Sequence, residues 1–198
     1  MSPWSVPKVI DHQQRAVEIT EAAWRVLVRS GSGAVSVRNV AQEAGVATAS
    51  LRRAFPTQAS LLAACLRLMG ERVAARIAAL PAEGGPVDQA LAAVAETVPL
   101  DDERRVEMEV YLALGASALS DPALDEAFGE LAAGMDELAS LVVTGLAPGL
   151  GADERRRAVL HLGALLDGLA LRVLHGSDAT KAMAVLREHL EGIAGWSR

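Results

Sequence analysis

Residues 36–60 read SVRNVAQEAGVATASLRRAFPTQAS, and this stretch decides the predicted fold. Within 37–44, apolar side chains recur at the spacing that places them on one helical face: Val37, Val40, Ala41 and Ala44. Gly45 follows, where a helix commonly ends in the left-handed conformation that glycine adopts most easily. A second short helix is predicted over 48–55, and Pro56 ends it because proline disfavours helical geometry in the preceding residue. Two short helices joined by a glycine-containing turn are typical of a helix-turn-helix, whose second helix can enter the DNA major groove.

The second predicted helix separates its apolar side chains from its basic ones. Leu51 and Phe55 lie four residues apart and should face a core, so Arg52 and Arg53 should point outward. Small side chains occupy its first turn and would let the backbone approach DNA closely: Thr48, Ala49 and Ser50. Adjacent arginines suit phosphate and guanine contacts because each guanidinium can donate two hydrogen bonds at once. The alternative is an ordinary helical hairpin with a solvated charged face.

The composition is that of a globular protein with an uneven charge distribution. The 198-residue chain is 51% hydrophobic, which allows a sizeable core, and no apolar run approaches the ~20 residues of a membrane span. The N-terminus lacks the apolar segment of a signal peptide, so we expect a cytoplasmic protein without a membrane partner. The net charge is −6, yet residues 1–60 hold seven basic and four acidic groups, against 12 and 21 in the remainder. This asymmetry indicates that only the first segment meets a polyanion.

Patterns of catalytic and metal-binding residues are absent from the sequence. The four histidines show no HExxH spacing, and there is no phosphate-loop pattern GxxxxGK[ST]. The single Cys65 excludes an internal disulfide and a cysteine-cluster metal site, and its apolar neighbours predict a buried, unreactive thiol. We therefore expect no enzyme activity, no metal and no cofactor.

Proline, glycine and aspartate divide the rest of the chain into further predicted helices. Residues 1–9 are predicted to form a loose arm, and a helix over 11–30, with Trp24 as a core anchor, completes a three-helix headpiece. Six more helices are predicted over 58–80, 87–98, 102–119, 122–146, 153–175 and 179–193. The result is an all-α fold of about nine helices, with a helix-turn-helix DNA-binding domain at 10–57 and a helical domain at 58–198.

The last two predicted helices are long and amphipathic. They either close the core of their own chain or pair with a second copy as a four-helix bundle. We favour pairing, since helix-turn-helix proteins usually bind DNA as two-fold dimers. The predicted dimer interface consists of the regularly spaced apolar residues Leu162, Leu166, Leu169, Val173, Met183, Leu186 and Leu190.

The chain resembles the TetR-like transcriptional repressors over residues 14–69. The matching pieces are Ala22-Ala23, Gly31, Val37-Arg38-Asn39-Val40-Ala41, Ala44-Gly45-Val46, Leu51, Phe55 and Leu61-Leu62. Asp167-Gly168-Leu169 is similar to a recurring feature of that family's penultimate helix. The resemblance implies an all-α homodimer that binds a palindromic operator and carries a small-molecule pocket in its C-terminal domain. It also implies that an effector shifts the helix predicted at 58–80, spreads the headpieces and releases DNA.

The sequence departs from that family at the predicted DNA surface. Many members have a serine cap at the position of Ala47, and we expect Thr48 to cap the second helix here. Members commonly carry aromatic rings at the positions of Arg52 and Ala54, and a phosphate-binding lysine at the position of Gln58. We expect the two arginines to take over part of that phosphate contact.

Two sets of candidate site residues follow. The predicted DNA contacts are Arg38, Thr48, Ala49, Arg52 and Arg53, with Ser36 and Gln58 as phosphate partners. The predicted lining of a pocket for an unknown small-molecule effector is Met69, Met108, Tyr111, Leu112, Phe128, Met135, His161 and Leu165. The favoured function is a ligand-responsive DNA-binding regulator that acts as a homodimeric repressor on a double-stranded operator. The alternative is a helical small-molecule-binding or scaffold protein without DNA affinity.

Overall fold

The computed structural model describes residues 12–196, and the side chains of all of these except residues 12, 13 and 32. Within that range the chain forms nine α-helices, one short 3-10 helix and no strand. The helices are α1 (His12–Ser30), α2 (Val37–Ala44), α3 (Thr48–Ala54), α4 (Gln58–Ala78), α5 (Pro86–Ala95), α6 (Asp102–Ala118), α7 (Pro122–Leu146), α8 (Ala152–Leu174) and α9 (Ala179–Gly195). The predicted all-α class is confirmed. No helix among the described residues is long and apolar enough to cross a membrane.

The chain divides into two compact units, one up to Cys65 and one from Leu66 onward. The division lies inside α4, whereas the sequence analysis places the domain boundary after residue 57. Helix α4 therefore contributes its first two turns to the first unit and the rest of its length to the second. The predicted arm at residues 1–9 lies outside the described residues.

The first unit packs α1, α2 and α3 around a small apolar core. Its fully buried side chains include Ile19, Val40, Leu51 and Leu61. Trp24 is 7% exposed, so the prediction of a core anchor is confirmed. Cys65 is buried as predicted, with Sγ 4.0 Å from the backbone oxygen of Thr20.

The turn between α2 and α3 depends on one glycine. Gly45 has φ +64°, a left-handed conformation in which any other residue would be strained. This conformation lets the N–H of Val46 donate to the carbonyl oxygen of Ala41 at 3.0 Å, which satisfies a carbonyl at the end of α2. The predicted helix-turn-helix therefore has the backbone geometry that its sequence requires.

The second unit is a bundle in which α7 packs against α6 and α8, and α9 packs against α5 and α8. Aspartates begin three of its helices as predicted. The Asp101, Asp121 and Asp178 side chains accept hydrogen bonds from backbone N–H groups in the first turns of α6, α7 and α9. Helix α5 ends at Ala95, three residues before its predicted end at 98, and a turn leads to Pro99.

Most of the predicted dimer-interface residues belong to the core of their own chain. The second unit buries five of them within a single apolar cluster: Leu162, Leu166, Val173, Leu186 and Leu190. Each is 6% exposed or less, so its side chain has no surface to offer a second copy, and these five assignments are wrong. Leu169 and Met183 are partly buried against the same cluster. The strongest apolar stripe of each helix packs inside the chain because that is where most apolar area leaves water.

This burial predicts unequal effects for two leucine truncations in the second unit. Leu162→Ala removes a fully buried side chain from α8 and should lower the free energy of unfolding by about 2–5 kcal/mol. Leu141→Ala makes the same truncation on α7, where the side chain is 65% exposed, and should change it by less than about 0.5 kcal/mol. Chemical denaturation followed by circular dichroism measures both. Equal stabilities for the two variants would contradict the assignment of Leu162 to the core.

Candidate DNA-binding face and candidate ligand cavity

The outward face of α3 carries the four residues predicted from it. Thr48, Ala49, Arg52 and Arg53 are all exposed, while Leu51 on the opposite side is fully buried. On a helix, positions i, i+1, i+4 and i+5 lie next to one another, so these four side chains form one continuous surface. We call this surface the α3 face. It combines a small first turn with two adjacent guanidinium groups, as a groove-binding helix requires.

The start of α3 differs from the predicted arrangement. Ala47 occupies the N-cap position and supplies no side-chain hydrogen bond, and Thr48 is already the first helical residue. The prediction that Thr48 caps the helix is therefore wrong. Its hydroxyl remains exposed and carries no hydrogen bond to any described residue.

Two helix starts in the first unit hold the predicted phosphate partners. Ser36 caps α2, where its hydroxyl oxygen accepts from the N–H of Asn39 at 3.2 Å and keeps its own proton to donate. Gln58 is the first residue of α4 and is exposed. Thr57 and Ser60 stabilise that start, since each side chain accepts from the backbone N–H of the other, at 3.0 and 3.2 Å. The first N–H groups of a helix have no partner within it and carry partial positive charge, which favours phosphate.

The arginines of the first unit fall into two groups. Arg25 and Arg29 of α1 each donate to Glu43 of α2 at 3.0 Å. These contacts, the Arg25 hydrogen bond first, hold the pKa of Glu43 below its ordinary value. Arg38, Arg52 and Arg53 are exposed and form no ion pair with any described residue: their charge is available to a polyanion.

The second unit contains a partly open cavity of about 430 Å³ between α4, α6, α7 and α8. Thioether and aliphatic side chains form most of its wall, including Met69, Met108, Met135, Val73, Ile77, Leu131 and Leu138. Tyr111 also lines it, and its ring stacks on Phe128 with centroids 4.7 Å apart. A mainly apolar cavity with a few polar groups is typical of small-molecule sites.

Arginine–carboxylate pairs border the cavity. Arg76 of α4 donates two hydrogen bonds to Glu107 of α6, at 2.9 and 2.7 Å, and a third to Glu96 at 2.9 Å. Arg104 also contacts Glu96, at 3.3 Å. Glu107 is 5% exposed, and a carboxylate so buried is tolerable because the guanidinium fork satisfies both of its oxygens. The Glu107 hydrogen bonds are the main cause that raises the pKa of Arg76, so this guanidinium stays charged.

Four of the eight predicted pocket residues line this cavity: Met69, Met108, Tyr111 and Met135. The structure places the other four elsewhere. Phe128 lies behind Tyr111 in the stacked pair, and Leu165 packs against the core cluster of the second unit. Leu112 and His161 are exposed and outside the lining.

Sequence reasoning missed the charged residues of the cavity, although a signal for them was present. Arg76 falls at i+7 from Met69 and i+3 from Val73, in register with the inward stripe of α4. Glu107 stands in the same way among the buried residues of α6, in register with Val110 and Leu114. Two opposite charges in core registers of two helices indicate a buried pair.

An apolar surface on the last two helices was also missed. Leu160 is 71% and Leu171 42% exposed on one side of α8, with Ala164 between them. Val185 is 46% and Trp196 52% exposed on or just after α9. Each pair is about three helical turns apart and so shares a face. We call these exposed side chains of the two helices together the α8–α9 surface, and in the sequence they form weaker stripes than the residues of the core.

The fold and the α3 face are those of a helix-turn-helix transcriptional regulator with a second, helical domain, and comparison with known proteins agrees. Residues 19–65 match the model of bacterial regulatory proteins of the tetR family, and residues 86–195 match the C-terminal model of BetI-type transcriptional repressors. The HTH-type transcriptional regulator PksA of Bacillus subtilis is 34% identical over 193 residues, covering 95% of this chain and 94% of PksA. The chain belongs to the TetR family, and it is a DNA-binding transcriptional regulator rather than an enzyme.

Solved structures give the same result. A transcriptional regulator from Rhodococcus sp. Rha1 is 29% identical, with a TM-score of 0.72 over 91% of this chain and 94% of that one. The multidrug binding protein EbrR, in its complex with ethidium, is 30% identical, with a TM-score of 0.67 over 88% of this chain and 98% of that one. EbrR has also been solved in complex with proflavin.

The buried pair predicts different effects for one substitution at two sites on α6. Glu107→Gln removes the charge that Arg76 contacts and should lower the free energy of unfolding by about 2 kcal/mol, as expected for hydrogen bonds to charged groups. Glu109→Gln alters an exposed residue that lies 3.9 Å from Arg105, and it should cost less than about 0.5 kcal/mol. Urea unfolding of both variants measures the difference. A Glu107→Gln protein as stable as the Glu109→Gln protein would show that the pair contributes nothing.

Proposed function

We propose that this protein is a ligand-responsive repressor that binds a palindromic operator as a homodimer and leaves it when a small molecule enters the second unit. The match to BetI-type transcriptional repressors supports repression. Such a protein acts in the cytoplasm, on the chromosome.

The observation that carries the DNA-binding part is the α3 face. Its two guanidinium groups are exposed and unpaired within the described chain, although the protein as a whole carries a net charge of −6. The α3 face would read base edges, with Arg38, Ser36 and Gln58 holding the phosphates on either side. Phosphate contacts fix the position of the protein, and the adjacent Arg52 and Arg53 then discriminate between base sequences.

The cavity supports release by an effector. It has the size and apolar character of a drug-sized site, within the usual range of ~300–1,000 Å³. EbrR, which is 30% identical to this chain, has been solved in complex with ethidium and with proflavin. In this chain α4 supplies Met69, Val73 and Ile77 to the wall, and the same helix begins in the first unit.

The α8–α9 surface supports the homodimer. Large apolar side chains rarely remain exposed in one patch unless a partner covers them. Ala164 and Gly168, both exposed on α8, would let a second helix approach closely. Two helices from each copy would then form a four-helix bundle around a two-fold axis. This surface replaces the buried leucines as the proposed interface.

The α3 face predicts a specific loss on truncation. Duplexes selected from a random DNA pool by the full-length protein would supply the operator, and fluorescence anisotropy would measure its affinity. Arg53→Ala should weaken operator binding by roughly 1–3 kcal/mol, because a base contact is lost. Arg187→Ala serves as the control, since it also removes one positive charge but breaks only an exposed pair with Asp88 in the second unit. No enrichment of any duplex, or equal affinity for both variants, would refute this assignment.

The α8–α9 surface predicts a change of oligomeric state. Leu171→Glu places a charge in the proposed interface and should convert a dimer into monomers at micromolar concentration, as sedimentation velocity would show. Leu119→Glu makes the same change at the end of α6, where the side chain is 91% exposed, and should leave the dimer intact. A wild-type monomer, or a Leu171→Glu dimer as stable as the control, would contradict the proposed interface.

A further inference from the structure

Only some of the acidic side chains that line the cavity form ion pairs with arginine. Five acidic residues line it, and arginines pair with three of them: Glu96, Glu107 and Glu130. Arg67 holds Glu130 through two hydrogen bonds, at 2.6 and 3.0 Å. Both arginines of the lining, Arg67 and Arg104, are therefore already engaged with carboxylates.

The other two are Glu71 and Asp167, and Asp167 is the one whose charge acts on Tyr111. It lies on α8 and lines the cavity, yet no described residue forms an ion pair or hydrogen bond with it. Its charged neighbour on α7 is another carboxylate, Asp136. Burial, followed by the charge of Asp136, raises the pKa of Asp167. Asp167 is nevertheless exposed, so a ligand that enters the cavity can reach its carboxylate.

The wall near this carboxylate is aromatic. Tyr111 and Asp167 line the same cavity. Burial, followed by the charge of Asp167, raises the pKa of Tyr111. Tyr111 is held in place by stacking on Phe128, with an interplanar angle of 24°. An aromatic ring and a carboxylate side by side both attract an organic cation. The ring does so through its quadrupole, and the carboxylate through its negative charge.

We propose that the effector is a hydrophobic organic cation, bound with Asp167 as its counter-ion and the Tyr111 ring as its aromatic wall. This inference rests on the ligand-responsive function proposed above. An anionic effector would find both lining arginines already paired and would face an uncompensated carboxylate. A neutral effector would fill the apolar part of the cavity but leave Asp167 without a partner, at a cost in desolvation.

The three methionines of the lining favour a cation with an adaptable fit. Met69, Met108 and Met135 are unbranched and polarizable, so they can follow ligands of different outline and contact aromatic rings. Discrimination would then come from charge and apolar area rather than from a pattern of hydrogen bonds. The cavity should accept several flat cations and reject uncharged molecules of the same shape.

Two dyes with one ring skeleton test this inference. Proflavin is a cation at pH 8, and acridine is the same three-ring system without the two amino groups and is uncharged there. Titration of the full-length wild-type protein, followed by fluorescence, should give a dissociation constant at least about tenfold lower for proflavin than for acridine. Equal binding of the two dyes would overturn the proposal.

Single-residue variants assign that preference to its source. Asp167→Asn should raise the proflavin dissociation constant about tenfold and leave that of acridine within about twofold. Glu137→Gln neutralises an exposed carboxylate on α7 outside the lining and should change neither value. Thermal melts of both variants check that each is folded. Unchanged proflavin binding by Asp167→Asn, or an equal loss for both dyes, would refute the role of Asp167.

The outcome can be separated from that of the proposed function. Dye binding is measured without DNA, whereas operator binding is measured without dye. A protein that binds its operator but does not prefer proflavin would retain its regulatory function and lose the proposed effector class. A protein that prefers proflavin but selects no duplex would support the proposed effector class and contradict the proposed DNA-binding function.

Discussion

The DNA-binding unit depends on the burial of Leu51, the side chain that anchors the seven-residue helix α3 in the core. Isolated helices shorter than ~12–15 residues are marginal in water, so α3 exists because its inner side packs on α1 and α2. Gly45 sets the turn that brings α3 into this position. Because Leu51 and Phe55 supply most of the packing, the exposed side chains of α3 are not needed for the core. The outward surface can therefore be given entirely to contacts with another molecule.

The two units use arginine in opposite ways. In the second unit, ion pairs with carboxylates engage Arg67, Arg76 and Arg104. These pairs let charged groups border an otherwise apolar cavity. In the first unit, Arg52 and Arg53 stay exposed and unpaired among the described residues. A net negative chain can therefore present a positive surface, since what a polyanion meets is the local field within about a Debye length, ~10 Å at 0.1 M salt. The overall charge of −6 carries little information about the DNA-binding face.

Most of the fold could be predicted from local sequence signals. The features that depend on contacts between distant helices could not. Asp101, Pro122 and Asp178 set helix starts within one residue, because caps and N-terminal prolines act on their own backbone. The α3 face was equally accessible, since one short helix contains all of it. The cavity needs four helices packed at particular angles, so half of its predicted lining lies elsewhere. The interface prediction failed on Leu162 and Leu186 because a stripe of leucines indicates burial without saying which molecule provides it.

Helix α4 gives the two halves of the proposed function a common element. Its first turns belong to the first unit, and its later turns carry Met69 to the cavity wall and Arg76 to Glu107. An effector can shift DNA affinity only if it binds the DNA-competent and DNA-free states with different affinities. By linkage, operator binding must then lower the affinity for the effector by the same factor. Under the proposed function, a helix held at Glu107 would transmit a displacement that a frayed helix would absorb. We propose that the buried ion pair would then fix the register of α4 against α6, since registry is the best-attested use of a buried polar contact.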